Sequence, residues 1–265
     1  MNILDKIVDY KRSEVEQAKA QQPASALEKS PFFSRRPLSL RQSLNDPKKT
    51  GIIAEFKRRS PSKGVINDQA DVVSVTGAYA AQGAACLSVL TDQHFFGGSA
   101  GDLQRARVHE IPILRKDFMI DEYQILEAKS MGADVILLIA ACLSPAEVKK
   151  LALFARSLEL EVLLEIHNEA ELAHICEETE LVGVNNRDLK TFTVDVERSI
   201  RLSEQIPAGK ITIAESGIHK VDTILQLKNA GFSGFLIGEN FMKESDPGAA
   251  FGKFVQELKG APTKV

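Results

Sequence analysis

Residues 134–154 have the sequence DVILLIAACLSPAEVKKLALF, and this segment decides the fold. Its first part, Asp134–Ala141, is an almost unbroken apolar run, as expected for a parallel strand covered on both faces. The segment Ser144–Glu147 combines a serine cap, a proline at the first helical position and a glutamate three residues after the cap, which predicts a helix N-terminus. Apolar residues then recur at helical spacing over Val148–Phe154. The segment therefore predicts one strand followed by one helix.

Similar apolar runs recur along the chain and begin 20 to 33 residues apart, which leaves room for a helix and two short loops in each unit. The eight runs are Gly51–Arg58, Ala84–Thr91, Ile111–Phe118, Asp134–Ala141, Glu161–His167, Leu181–Arg187, Ile211–Gly217 and Gly234–Gly238. Eight such units predict an α/β protein that is either a closed (β/α)8 TIM barrel or a large doubly wound sheet, and the even count favours the barrel. We expect one domain, with a helical extension over residues 1–50 and the barrel over residues 51–265.

Composition narrows the range of functions. The chain has 265 residues, 44% of them apolar, and a formal net charge of −3, which argues against a general nucleic-acid or membrane-surface binder. It has no apolar stretch of the ~20 residues that a membrane-spanning helix needs, and no signal peptide is recognisable at the N-terminus. Three scattered cysteines form no CxxC pair and fit a reducing compartment. We expect a cytoplasmic protein, and a monomer because no apolar interface is evident.

Metal and nucleotide sites lack sequence support. The five histidines are scattered, and neither an HxH nor an HExxH motif is present. His167 lies just past a predicted strand, where a loop or structural histidine is far more common than a ligand. GxGxxG and Walker-type sequences are also missing. We therefore expect no metal and no cofactor.

Polar residues occur late in five of the apolar runs. Side chains of a barrel strand alternate inward and outward, and the active site forms at the carboxyl ends of the strands. The polar residues in phase with the apolar ones are Glu55, Lys57, Lys116, Glu165, Asn185, Arg187 and Glu215. A single charged residue at a strand end is a rim residue or part of a structural ion pair about as often as it is a functional group. Convergence from five strands predicts acid–base chemistry on an anionic substrate.

Two glycines suggest where an anion binds. Gly217 and Gly238 follow the seventh and eighth predicted strands. A small residue lets backbone N–H groups approach a phosphate, and phosphate sites recur after strands 7 and 8 of this fold. The pair predicts a phosphate site.

Several motifs, in order and over nearly the whole chain, resemble those of the indole-3-glycerol-phosphate synthase family. They are Ile53–Ser62, Leu90–Asp92, Phe96–Ser99, Pro112–Phe118, Leu164–His167, Val184–Leu189, Ala214–Ile218 and Leu236–Gly238. The resemblance implies a carboxy-lyase of tryptophan, and hence aromatic amino acid, biosynthesis. Its sugar-phosphate substrate would be 1-(2-carboxyphenylamino)-1-deoxyribulose 5-phosphate, and its products indole-3-glycerol phosphate, CO2 and water.

The resemblance also implies catalytic roles. Lys116 is expected to protonate the substrate ketone during ring closure. Glu165 is the expected base of the later dehydration, with Lys57 as a second proton donor, and which lysine supplies that proton is left open. Glu55 is expected to hold the lysines in position and charged. Asn185 and Glu215 are expected to bind the substrate hydroxyls or the departing water.

Binding roles follow in the same way. Arg187 and Ser60 are expected at the anthranilate carboxylate, where an arginine offers a bidentate fork. Phe96 and Phe118 would either flank the anthranilate ring or pack the top of the barrel. The groups expected at the phosphate are Lys57, Ser216, Gly217, Gly238 and the backbone of Glu239. Many family members have serine in place of Glu239, so we expect this glutamate side chain to point away from the phosphate.

Three other functions are compatible with the same pattern. One is another sugar-phosphate barrel enzyme such as phosphoribosylanthranilate isomerase, in which the two lysines and two glutamates would lack a purpose. Another is a class I aldolase with Lys116 as the Schiff-base lysine, although neighbouring carboxylates should keep it protonated. The third is a barrel that binds a phosphate metabolite without catalysis. We also expect the basic loop Arg58–Gly64 to move as a lid over the site.

Overall fold

Eight parallel strands close into a barrel in the computed structural model, which describes residues 3–188 and 193–261; Leu189 of the family-like motif therefore lies outside the described residues. The strands are β1 (Ile52–Phe56), β2 (Cys86–Leu90), β3 (Ile113–Lys116), β4 (Val135–Ile139), β5 (Glu161–Ile166), β6 (Leu181–Asn185), β7 (Ile211–Glu215) and β8 (Gly234–Ile237). Each strand pairs with its neighbour in the chain, and β8 closes the barrel on β1. The predicted (β/α)8 TIM barrel is confirmed.

Helices precede the barrel and alternate with its strands. They are α1 (Ile3–Gln21), α2 (Ala24–Leu27), α3 (Leu40–Leu44), α4 (Val72–Ala81), α5 (Ala100–Ala106), α6 (Glu122–Met131), α7 (Pro145–Ser157), α8 (Val196–Ser203), α9 (Val221–Asn229), α10 (Glu239–Met242) and α11 (Pro247–Gly260). Helix α7 begins at the predicted cap, because Ser144 accepts from the backbone N–H of Glu147 and the Glu147 side chain accepts from the backbone N–H of Ser144.

The connection between β5 and β6 differs from the other units. It contains a short 3-10 helix, Glu169–His174, instead of an α-helix. Only residues 167–180 separate the two strands, too few for a long helix with its loops. His174 fixes this segment against the preceding unit, because its Nε2 lies 2.9 Å from the carbonyl oxygen of Leu143.

The apolar residues form two layers. Ile53, Leu114 and Leu163 point into the barrel, whereas their neighbours along each strand pack against the surrounding helices. Because successive side chains of a strand face opposite sides, a residue two positions after Ile53 also faces inward. The alternation therefore carries Glu55 and Glu165 to the interior at the open end of the barrel.

The segment before β1 covers both ends of the barrel. Leu40 of α3 is fully buried in the interior cluster and closes the end at which the strands begin. Helix α1 lies at the other end, where Ile3, Leu4 and Ile7 reach the cavity of the open mouth. Tyr123 of α6 holds the end of α1 by donating its hydroxyl to backbone carbonyl oxygens of that segment.

The described ranges contain neither a membrane-spanning helix nor a cluster of metal-binding side chains. Among residues 3–188 and 193–261, no helix is both long and apolar enough to cross a membrane. Within the same ranges, no group of three or more histidine, cysteine, aspartate or glutamate side chains has an arrangement suited to a metal ion.

Candidate active site

A cavity opens at the carboxyl ends of the strands, and every site residue predicted from the sequence lines it. The fourteen residues are Glu55, Lys57, Ser60, Phe96, Lys116, Phe118, Glu165, Asn185, Arg187, Glu215, Ser216, Gly217, Gly238 and Glu239. They come from five strands, β1, β3, β5, β6 and β7, and from the loops that follow β1, β2, β3, β6, β7 and β8. The predicted convergence is therefore observed, while the role of each residue stays a prediction.

Two glycines make room for the carboxylates of the floor. A Cβ atom on Gly183 of β6 would lie 2.1 Å from Glu215 Oε1 of the neighbouring β7. A Cβ atom on Gly238, just after β8, would lie 2.6 Å from Glu55 Oε1 of the neighbouring β1. Both distances are far below van der Waals contact, so each carboxylate occupies space that only a glycine leaves free.

Glu55 and Lys57 form the first ion pair of the floor. Lys57 Nζ lies 2.7 Å from Glu55 Oε1, and the Ser88 hydroxyl lies 3.4 Å from the other carboxylate oxygen. Burial alone would raise the pKa of Glu55, but the ammonium groups of Lys57 and Lys116 outweigh it and hold this pKa below its ordinary value. Glu55 is therefore an anion that can hold two cations in place.

Lys116 and Glu165 form the second pair. Lys116 Nζ lies 3.7 Å from Glu165 Oε2. Burial would lower the pKa of Lys116, yet the carboxylates of Glu165, Glu55 and Glu215 raise it above the ordinary value. Burial would raise the pKa of Glu165, and Lys116 together with His167 lowers it instead. At neutral pH the pair is an ammonium acid beside an ionised carboxylate.

Glu165 is oriented from the side opposite Lys116. Asn185 Nδ2 donates to Glu165 Oε1 at 2.9 Å, and His167 Nε2 lies 3.0 Å from the same oxygen. The other ring nitrogen of His167 lies 3.2 Å from Glu171 Oε2. Burial would lower the pKa of His167, but its contacts with Glu165 and Glu171 raise it to about 10. This histidine is therefore a buried cation between two carboxylates.

The pKa of Glu215 is shifted in the opposite direction from those of the other two floor glutamates. This residue is 2% exposed, and among the described residues its Oε1 has no hydrogen-bond partner. Burial, followed by the negative charges of Glu165 and Glu55, raises the pKa of Glu215 well above its ordinary value. Of the three floor carboxyls, Glu215 therefore takes up a proton most readily.

Apolar groups form one wall of the cavity. The rings of Phe96 and Phe118 lie 5.9 Å apart between centroids, tilted by 36°. Ile3, Leu4 and Ile7 of α1 continue this wall. Such a surface suits a flat aromatic group.

Backbone geometry distinguishes the opposite wall. Ser216 has a positive φ of 68°, a conformation rare for residues other than glycine, and it directly follows β7. The carboxylate of Glu239 lies between Lys63 Nζ at 3.4 Å and Arg187 Nη2 at 3.7 Å. Ser60 also lines the cavity and pairs with Gly64 across the short turn that carries Lys63. The negative charge of Glu239 is thus offset by two cations, and its predicted orientation relative to a phosphate stays a prediction.

Comparison with known proteins decides the family. The family model described as indole-3-glycerol phosphate synthase matches residues 4–254, which is nearly the whole chain. The chain belongs to the indole-3-glycerol phosphate synthase family. It is thereby a carboxy-lyase family member, and the predicted family and enzyme class are confirmed.

Curated relatives of the family match at full length. The indole-3-glycerol phosphate synthase of Bacteroides thetaiotaomicron is 45% identical over 259 residues, covering 97% of this chain and 99% of the relative. The corresponding protein of Salinibacter ruber is 44% identical over 263 residues, covering 98% of this chain and 97% of the relative.

Solved structures of lower identity share the fold alone. A 3-hexulose-6-phosphate synthase is similar with a TM-score of 0.62 at 15% identity, covering 78% of this chain and 99% of that protein. The tryptophan synthase α-subunit of Pyrococcus furiosus is similar with a TM-score of 0.60 at 16% identity, covering 80% of this chain and 99% of that one.

Part of this synthase-family site is not predicted by the sequence. Ile3, Leu4 and Ile7 line the cavity although they precede the first strand by more than forty residues. His167 contacts Glu165, whereas its position just past a strand predicts only a loop or structural histidine. A signal for His167 was present, because it lies two residues after Glu165 and hence on the same side of the extended chain. The α1 residues gave no such signal, since only tertiary packing brings that helix to the mouth.

Proposed function

We propose that this chain closes, decarboxylates and dehydrates 1-(2-carboxyphenylamino)-1-deoxyribulose 5-phosphate, and that the fourteen cavity residues carry the roles expected from the family motifs. The observation that carries the proposal is the pairing of Lys116 with Glu165 beside a second pair, Lys57 with Glu55, on one buried floor. Two ammonium acids and an ionised base within one cavity match a reaction that needs several proton transfers.

Lys116 is the acid of ring closure. The ring carbon that bears the carboxylate attacks the ketone carbon, and the ketone oxygen takes a proton from the Lys116 ammonium. Loss of CO2 then restores the aromatic ring, with the electrons of the breaking bond returning to the ring. The raised pKa of Lys116 supports this role because it keeps the group protonated before the reaction. It also argues against a Schiff-base aldolase, which needs a neutral lysine.

Dehydration follows at the same carbon. The new hydroxyl leaves as water with a proton from Lys57 or from re-protonated Lys116, while Glu165 accepts the proton released by the nascent indole. Glu165 is suited to this step because its lowered pKa keeps it ionised and Asn185 and His167 fix its orientation. The raised pKa of Glu215 favours its protonated form, which can donate a hydrogen bond to a substrate hydroxyl.

The two ends of the substrate are assigned to opposite walls. The aromatic ring lies against Phe96 and Phe118, with its carboxylate toward Arg187 and Ser60. The phosphate lies at the loops after β7 and β8. Its partners are Lys57, Ser216, Gly217, Gly238 and the backbone of Glu239.

The test is the growth of indole fluorescence after the substrate is added, with EDTA present. Wild type, Lys116→Ala and Lys150→Ala are compared, because Lys150 lies on the surface and pairs only with Glu122 at 3.4 Å among the described residues. We expect Lys116→Ala to lower kcat about 10²- to 10⁴-fold, the usual contribution of a positioned acid or base. Lys150→Ala should match the wild type.

Each alternative function has its own outcome. A folded wild type that binds the substrate without fluorescence growth would contradict catalysis and favour a binding barrel. Covalent trapping of the substrate on Lys116 by borohydride would favour the aldolase. We further propose that the protein acts as a monomer in the cytoplasm, which sedimentation and cell fractionation test.

A further inference from the structure

A buried ammonium group joins the N-terminal helix to the mouth of the barrel. Lys11 of α1 is 0% exposed. Its Nζ lies 2.9 Å from Asp92 Oδ2 and 2.9 Å from Asp117 Oδ1, both of which are also buried. A lysine is almost never fully buried unless it is paired. Here one cation bridges two carboxylates that follow two adjacent strands, β2 and β3.

The first carboxylate holds the loop that carries Phe96. Asp92 Oδ1 accepts from the backbone N–H of Phe95 at 2.7 Å and from that of Phe96 at 3.1 Å. Its other oxygen faces Lys11. The position of the Phe96 ring is therefore tied to the position of Lys11 through a single side chain.

The second carboxylate holds the loop that carries Phe118. Asp117 Oδ1 accepts from the backbone N–H of Phe118 at 2.8 Å, and this same oxygen faces Lys11. Its other oxygen contacts the Thr91 hydroxyl and the Arg115 guanidinium. Both aromatic rings of the cavity wall are thus attached to one ammonium group.

The same helix supplies the rest of that wall. Ile7 lies one helical turn before Lys11, and Ile3 and Leu4 lie about two turns before it, and all three line the cavity. We infer that Lys11 is a positioning residue that assembles the aryl-binding wall of the cavity, locking Phe96, Phe118 and the apolar face of α1 into one surface. This inference rests on the proposed function for the nature of the substrate.

The surroundings of Lys11 show that its charge is needed in this place. Glu14, one turn later on α1, lies 3.1 Å from Nζ, and Arg115 lies on the far side of Asp117. Removal of the Lys11 charge leaves two buried aspartates with one cation fewer, and they repel each other. The loops then move apart, which separates the two rings and releases the start of α1.

The experiment compares two helix lysines. Lys11→Met keeps the length of the side chain and removes its charge. Lys19→Met is the matched control, because Lys19 also pairs α1 with the barrel, at 2.8 Å from Asp121 Oδ2, but lies about two helical turns beyond Lys11 and is partly exposed. Two quantities are measured, KM for the substrate and the inhibition constant of inorganic phosphate, which probes the opposite wall alone.

We expect Lys11→Met to raise KM about 10-fold or more, equivalent to ~1.4 kcal/mol of lost aryl binding, with an unchanged inhibition constant for phosphate. Lys19→Met should change neither quantity. Lys11→Arg restores the charge and should recover part of the affinity. A folded Lys11→Met with the wild-type KM overturns the inference, as does an equal rise of KM in Lys19→Met.

A second variant keeps the inference testable if Lys11→Met does not fold. Leu4→Ala shortens the apolar wall without touching the charged cluster. It should raise KM and leave phosphate inhibition unchanged, and an unchanged KM overturns the inference. If the proposed function is wrong, the wild type itself shows no turnover. That outcome is therefore distinguishable from failure of the inference about Lys11.

Discussion

Asp134 at the closed end of the barrel and the floor glutamates at the open end are all buried carboxylates, but they differ in how they are hydrogen-bonded. At the closed end, Asp134 is fully buried. One of its carboxylate oxygens accepts hydrogen bonds from the Arg35 guanidinium and the backbone N–H of Leu38. The other accepts from the Arg107 guanidinium and the backbone N–H of Ile113. At the open end, Glu165 Oε2 and Glu215 Oε1 are buried without a hydrogen-bond partner among the described residues.

Because of this difference, the closed end contributes to stability and the open end to function. A fully hydrogen-bonded buried carboxylate stabilises the native state, whereas a buried oxygen without a partner destabilises it. Polar groups left without partners at the open end are available to a substrate. The closed end can therefore offset the instability that the open end introduces.

The largest effect is expected at the closed end. Asp134→Asn removes the charge that faces Arg35 and Arg107 and leaves two guanidinium groups without their anion. We expect the free energy of unfolding to fall by about 3–5 kcal/mol, as for other broken buried pairs, while kcat and KM stay unchanged. Urea denaturation and steady-state kinetics at 25 °C provide both measurements.

Arg41→Ala is the control at the same end. Arg41 pairs with Glu180 at 3.0 Å, but its side chain is 56% exposed, so the loss should stay below about 1 kcal/mol. Equal losses in the two variants would show that burial does not distinguish the pairs. A fall of kcat in Asp134→Asn would contradict the proposal that the closed end contributes to stability and not to turnover.

The second effect concerns pH at the open end. The folded-state pKa of His167 is raised from 6.5 to about 10, so its pairing with Glu165 and Glu171 contributes stability that is complete below pH 6.5. This contribution is lost as the pH rises through the window from 6.5 to 10. We expect the wild type to lose on the order of 2–4 kcal/mol more than His167→Gln across that window. Parallel curves of unfolding free energy against pH for the two proteins would contradict the prediction.

The third effect concerns Glu215→Gln, which replaces a buried carboxyl with an uncharged amide of the same shape. The pKa of Glu215 is raised well above 4.5, so the wild type gradually loses stability as the pH rises above 4.5. The variant lacks this loss, and its stability relative to the wild type should increase by more than about 1 kcal/mol between pH 4.5 and pH 7. Denaturation at both pH values measures it. A relative stability that falls instead would show that Glu215 is ionised in the folded protein.

The sequence predicted the barrel and its floor because both depend on local periodicity. Alternation along each strand was enough to place Glu55, Lys116 and Glu165 on the inward side before any coordinates were known. The capping residues around Ser144 predicted where α7 begins. These signals are carried by residues that lie within a few positions of one another.

Features that depend on distant packing could not be predicted in this way. Lys11 looks like an ordinary surface lysine of an amphipathic helix, since its partners Asp92 and Asp117 are about 80 and 100 residues away. Nothing in residues 3–7 indicates that they reach the cavity. The opposite pKa shifts of Glu165 and Glu215 also arise only when the strands are brought together.

The contacts of Gly183 with Glu215 and of Gly238 with Glu55 constrain how this protein can evolve. With the carboxylates in their present positions, a side chain at either glycine would displace Glu215 or Glu55 and so change the geometry of the cavity floor. The residue at position 183 is therefore coupled to that at 215, and the residue at 238 to that at 55. A library that randomises one position at a time should mostly return glycine at 183 and 238, whereas paired libraries with 215 and 55 should admit a wider range of sequences.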